Sequence, residues 1–141
     1  MKGLTLTQPW ASAVAVGIKC VETRSWRTEY RGPVLIHAAK GFPASARAFA
    51  REELQRGVRI PNPLPLGAVV ALARIDHIER TEASLPFLGR TEEHYGDYSP
   101  GRYAWHLADV RQLSVPIPCR GALGLWMPTP EVLTAVEAVL R

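Results

Sequence analysis

Residues Gln8 to Trp26 read QPWASAVAVGIKCVETRSW. Charges fall at Lys19, Glu22 and Arg24, indoles at Trp10 and Trp26, and a largely apolar run, Ala11 to Val16, lies between them. Thr7 suits a helix N-cap and Pro9 a first helical turn. Trp10, Ala13, Val14 and Gly17 then recur at the helical period, and Gly17 suits a left-handed stop. From Lys19 to Trp26 the pattern predicts a strand. Alternation puts Glu22, Arg24 and Trp26 on one face and Val21 and Thr23 on the other, with Glu22 and Arg24 roughly 6–7 Å apart. Lys19 falls on the opposite face of an ideal strand and joins Glu22 only if the junction twists. An ordinary amphipathic segment spreads its charges along a wet face. This one gathers opposite charges and aromatics at a helix-to-strand junction, the components of a site for something polar, flat and partly anionic.

Working outward, Arg31-Gly32-Pro33 marks a turn and Val34 to Ala39 a strand. Pro43 to Arg56 carries Ala46, Phe49, Ala50 and Leu54 at helical spacing. Ile60 to Leu66 is a proline-rich connection. Gly67 to Ile78 opens with the continuous apolar run Ala68 to Ala73, expected of a strand buried on both faces. Thr81 to Gly101 is polar and turn-rich and reads as a long mobile loop. Arg102 to Leu107 predicts a strand with Tyr103, Trp105 and Leu107 on one face. Val110 to Pro118 predicts a further strand, placed at an edge by its prolines. Thr129-Pro130-Glu131 starts a last helix with Val132, Leu133, Val136, Val139 and Leu140 in one stripe. Short strands with helices between them predict an α+β fold, a small mixed β-barrel with an N-terminal and a C-terminal helix, in a single domain over 1–141.

The residue types and spacing resemble the ASCH (activating-signal-cointegrator homology) domain family. The resemblance rests on Leu4-Thr5-Leu6, Gln8-Pro9-Trp10, Gly17-Ile18-Lys19, Glu22, Arg24 and Trp26, and on Arg31 to Ala38. Later segments fit as well: Gly67 to Arg74, Tyr103-Ala104-Trp105 and Gly124-Leu125-Trp126. It implies a PUA-like β-barrel and a role in RNA binding or RNA-linked chemistry. One branch of the superfamily removes acyl groups from N4-acylated cytidine with a Lys, a Thr and a Glu. Lys19 matches the lysine, but Glu22 stands where that branch has its threonine. Thr23 points to the other face, and Asp76 and Glu79 are the candidates for the glutamate. Metal-independent ribonuclease activity is also attributed to some family members, with a lysine and hydroxyls such as Tyr103 or Ser99 as candidates here.

Composition bounds the function. The 141 residues carry 17 Lys and Arg against 13 Asp and Glu, a net charge of +4. Residues 1–60 hold ten basic and four acidic groups, residues 61–110 four and seven, so the motif lies in the basic part. A positive field attracts phosphates. No stretch approaches the ~20 apolar residues of a membrane span, and the N-terminus lacks the pattern of a signal peptide. Cys20 and Cys119 are too few and too far apart for a disulfide framework, which predicts free thiols and a cytoplasmic setting, with Cys20 a small buried hydrophobe. The excess of Arg over Lys and the single Asn are compatible with a thermophile or with a GC-rich genome. His37, His77, His94 and His106 are scattered, none at i, i+3 or i+4 from another His or a Cys, so no metal site and no cofactor are expected.

The expected ligand is therefore RNA or a nucleotide, held in a cleft beside the first helix by Gln8, Trp10, Lys19, Glu22, Arg24, Trp26 and His37. Arg24 suits a phosphate or a stacked base, the indoles a stacked base, and Glu22 an exocyclic amino group. Were the chain an enzyme, Lys19 and Glu22 would be its catalytic candidates.

Overall fold

The computed structural model of the protein describes residues 1–140. Six strands form one sheet in the order β2-β5-β4-β3-β1-β6. They are β1 (Lys2–Leu6), β2 (Val21–Arg24), β3 (Gly32–Ala38), β4 (Ala68–Arg80), β5 (Tyr103–Pro118) and β6 (Leu125–Trp126). Only β1 and β3 run parallel; the other pairs are antiparallel. The helices are α1 (Trp10–Ala15), α2 (Ala44–Gln55), α3 (Thr81–Ser84), α4 (Arg90–His94) and α5 (Pro130–Leu140), with a 3-10 turn at Leu85–Phe87.

The sheet is rolled. Arg24 on β2 donates from Nη2 to the Thr5 carbonyl on β1 at 2.7 Å, although β5, β4 and β3 lie between them in the sheet. Four flat strand spacings would separate β2 from β1 by roughly 19 Å. The roll stops short of closure, because β2 and β1 share no backbone pairing. β6 covers only Gly3 and Leu4 on the outer side of β1, so from Thr5 onward that edge has no strand partner. The expected barrel is thus a half-barrel with a seam between β1 and β2.

Packing explains the roll. Leu4, Leu6, Val34, Ile36, Ala71, Ile75 and Trp105 fill the concave side, and α1 lies across it with Ala11, Ala13 and Val14 fully buried. At six residues α1 is too short to be stable alone, so this contact holds it in place. Burying each Val- or Leu-sized side chain contributes about 1.5–3 kcal/mol. Gly17 ends the helix at φ +87°, and the Ile18 and Lys19 amides donate back to Ala13. The opposite side of β3, β4 and β5 is covered by α5, where Leu35, Val69 and Leu113 meet Val136.

Three expectations change. The 81–101 segment is not an open loop: α3, the 3-10 turn and α4 pack there, with Leu85, Leu88 and Tyr98 against Val21 and Ala104. Short helices of four and five residues carry too few apolar repeats to stand out in a sequence. The two predicted strands Arg102–Leu107 and Val110–Pro118 are one strand, β5, bent at Asp109 with φ +53°. Its second half pairs with β4 alone, so Pro116 and Pro118 remove no inter-strand bond on its other side. Cys20 is exposed, not buried, and its thiol is pushed up by partial burial and by Glu92.

Candidate functional site: the seam of the half-barrel

The seam is where the charged motif lies. Alternation on β2 turns Glu22 and Arg24 inward to the same side, as the spacing predicts. Arg24 Nε is 3.1 Å from Glu22 Oε2, and Lys19 Nζ is 3.5 Å from Glu22 Oε1. The junction after α1 turns back tightly enough to bring Lys19 round to Glu22. Lys19 nevertheless lies beneath the cleft, only 1% exposed, donating to the Val21 and Tyr95 carbonyls as well. Two of the ammonium's donors are therefore engaged by backbone carbonyls, and Glu22 balances its charge. Glu22 and Arg24 remain in reach of solvent at 12% and 23% exposure.

Two cavities open along the seam. The smaller, about 390 Å³, is lined by Trp10, Glu22 and Arg24, by Thr5 and Thr7, and by residues 94–97 of the folded segment after β4. The larger, about 910 Å³, is lined by His37, Lys40 and the loop 118–124 with Arg120. Thr5, Thr7 and Arg24 border both. Among the described residues, neither Lys40 nor Arg120 has an ion-pair partner.

The other sequence candidates take mixed places. Gln8 is fully buried; its Nε2 donates to Ser12 Oγ and to the Pro65 carbonyl, and its Oε1 accepts from the Ser12 amide, so it ties down the start of α1. Trp10 lines the smaller cavity while one face stacks on Phe49 at 5.2 Å. Trp26 packs edge-on against Trp105 at 4.8 Å and gives its carbonyl to the Trp105 indole N–H. His37 borders the larger cavity, bonded to Thr5 Oγ1 at 3.1 Å and to the Cys119 carbonyl at 2.9 Å. Burial holds its imidazole below the ordinary range. Thr23 Oγ1 accepts from the Asp97 amide, and Asp76 and Glu79 project beside His77 and His106, away from Glu22. Ser99 bonds Asp97, and Tyr103 lies under Arg80.

Sequence reading missed the residues that complete the walls. His94 and Tyr95 come from α4 and its end. The Tyr95 phenol is pushed up to about 12 by burial and by Glu53, so it remains a neutral wall residue at physiological pH. Glu92, from the same helix, accepts the Cys20 and Val21 amides and fixes the start of β2. Arg120-Gly121 carried one usable signal, a glycine where the loop passes close to Thr5 and His37. A Cβ at position 121 would lie 2.4 Å from Thr5 Oγ1 and 2.6 Å from His37 Nδ1, so only glycine lets this loop close on the seam.

The pattern that defines the ASCH domain matches residues 4–117. The chain belongs to the ASCH domain family. Activating signal cointegrator 1 of Mus musculus and that of Homo sapiens are each 30% identical to it over 129 residues, covering 87% of this chain. The chain spans about a fifth (21%) of the length of these relatives. The crystal structure of the ASCH protein from Zymomonas mobilis superposes with a TM-score of 0.62 at 16% identity, covering 99% of this chain and 95% of that one. A single-residue mutant of that protein gives 0.62 at 18%, covering 99% and 96%. These likenesses carry the fold, and ASCH domains as a family are RNA-associated and PUA-like. Among the described residues no helix is long and apolar enough to cross a membrane.

Proposed function

We propose that the protein binds RNA, or a nucleotide unit of it, in the seam between β1 and β2. The base enters the smaller cavity and the phosphates lie over the larger. The observation that carries this reading is the position of Arg24 on the wall shared by two cavities of different chemistry. On one side Glu22 offers a carboxylate that can accept from an exocyclic amino group, as carboxylates do at cytosine N4. On the other, Lys40 and Arg120 offer unpaired cations, which phosphates satisfy at the gain of released counterions. Arg24 can serve either part of such a ligand.

Hydrolysis is the weaker reading. An acyl-transfer nucleophile needs an exposed hydroxyl beside a base. Glu22 occupies that place, Thr23 accepts a backbone bond, and Lys19 is buried with two of its donors engaged.

The test is a titration with short oligoribonucleotides and mononucleotides at several salt concentrations. Affinity should fall linearly in log–log form with added salt. Lys40→Ala combined with Arg120→Ala should reduce the slope by roughly 1.4, about 0.7 per lost phosphate contact on a single strand. Salt-independent binding, or a slope unchanged in the double variant, would reject the assignment of the larger cavity.

A further inference from the structure

The pairing of β4 with β5 assembles a cluster that the seam does not use. His77 and His106 are direct cross-strand partners, and Glu79 follows His77 by two residues, so all three project from the same side. That side is the outer one, shared with Val21, the β2 partner of His106, whereas Glu22 pairs with Trp105 on the inner side. One donor atom from each of the three lies within 4.8 Å of the others. Glu79 Oε1 is 3.5 Å from His106 Nε2, and the two imidazoles stack at 4.1 Å with planes 9° apart.

The surroundings are arranged as they are around metal-binding histidines. Asp76 Oδ2 lies 2.8 Å from His77 Nδ1. A carboxylate there accepts the hydrogen bond from Nδ1–H, which sets the tautomer and leaves Nε2 with its lone pair. Ser84 Oγ donates to Glu79 Oε1 at 2.5 Å and lies 2.9 Å from His106 Nε2. Its single proton goes to Glu79, so the same hydroxyl orients the carboxylate and marks the direction of the His106 ring nitrogen.

We propose that His77, Glu79 and His106 form a site for a divalent transition cation of the zinc type, with Asp76 and Ser84 as supporting partners. Two imidazoles and one carboxylate suit zinc, copper or nickel, whereas magnesium and calcium prefer oxygen-rich sets. Stacked rings point their lone pairs in parallel. His77 is half exposed and free to turn out of the stack toward the common point. Without the cation His106 Nε2 donates its proton to Ser84 Oγ. To ligate, the ring takes its other neutral tautomer, that proton passing through solvent to Nδ1, and Nε2 exchanges Ser84 for the cation while Ser84 keeps Glu79. The fourth position is left to water. Helical spacing rules cannot detect this set, because its members meet across a strand pair.

Untagged protein, stripped with a chelator and dialysed, is titrated with zinc against a chromogenic indicator and with cobalt followed by visible absorption. One equivalent of zinc should bind at micromolar affinity or tighter, and cobalt should develop the absorption of a nitrogen-ligated, low-coordinate site. His77→Ala should abolish both signals. Asp76→Ala should weaken zinc roughly 10–100-fold. Glu131→Ala, on α5, should change neither. Thermal unfolding checks that each variant is folded, and Glu79→Gln replaces His77→Ala if the latter is not. Uptake that does not saturate, or that survives both His77→Ala and Glu79→Gln, overturns the proposal and marks the cluster as a hydrogen-bonded histidine pair.

Discussion

Lys19 is one of the motif's charged residues, yet it lies beneath the cleft, only 1% exposed. Its ammonium is enclosed by the Val21 and Tyr95 carbonyls and by Glu22, and it joins α1, β2 and the end of α4 at one point. Removing one partner of a buried ion pair leaves the rest unsatisfied, at a cost of about 3–5 kcal/mol. Lys19→Ala should therefore lower the free energy of unfolding by about that amount in chemical denaturation, and lose ligand binding only as the fold is lost. Glu22→Gln is the contrasting case. The amide keeps the size and one acceptor, so the fold should persist, but the buried Lys19 ammonium loses its counter-charge and stability should fall by less than in Lys19→Ala. It cannot present two equivalent acceptors, so bases bearing an exocyclic amino group should lose affinity relative to uracil. Equal losses for cytidine and uridine nucleotides would remove Glu22 from base recognition.

At the scale of elements, α1, α2 and α5 were legible because their apolar residues repeat at the helical period, and β4 because its apolar run is continuous. β2 was legible from the Glu22–Arg24 alternation. The 81–101 segment was not, since its order comes from contacts made at a distance. Glu92 illustrates this: nothing local marks it, yet its carboxylate receives the amides of Cys20 and Val21. Charge-assisted bonds of this kind contribute roughly 1.5–3 kcal/mol. Glu92→Ala should destabilise the protein by about that much. It should also speed amide hydrogen exchange at Cys20 and Val21 before the core strands respond. His77 and His106 were illegible for a related reason: sequence distance hides a cross-strand pair until the register of β4 against β5 is known. The candidate site was half legible. Its β2 wall was written in one motif, while Lys40, His94 and Arg120 reached the seam through the roll of the sheet.

For the molecule as a whole, the unclosed roll is the proposed binding feature, and one of the two histidines that respond to acid stands beside it. His37 stands beside the seam between Thr5 and the Cys119 carbonyl, and His106 lies under α3; burial is the first cause holding each imidazole below its ordinary value of 6.5. The sign of the pH effect follows. As pH falls through 6.5 the unfolded chain takes up these protons before the folded one does, so the unfolded state is favoured. Above that pH both states are neutral at these sites and the effect is absent. Asp76, Glu82 and Asp97, whose carboxyls are held below their usual range by hydrogen bonds, act in the same direction but only once pH reaches the carboxylate range. Stability should thus be flat in mildly alkaline buffer, decline first through the imidazole range, and decline again in stronger acid. Denaturant midpoints across this series measure it. His37→Gln should be less stable than the native chain in neutral buffer, because the bridge from Thr5 to Cys119 is lost. Its first decline should nevertheless be shallower, because one titrating group is gone. A decline of undiminished steepness in that variant would assign the acid sensitivity to groups away from the seam.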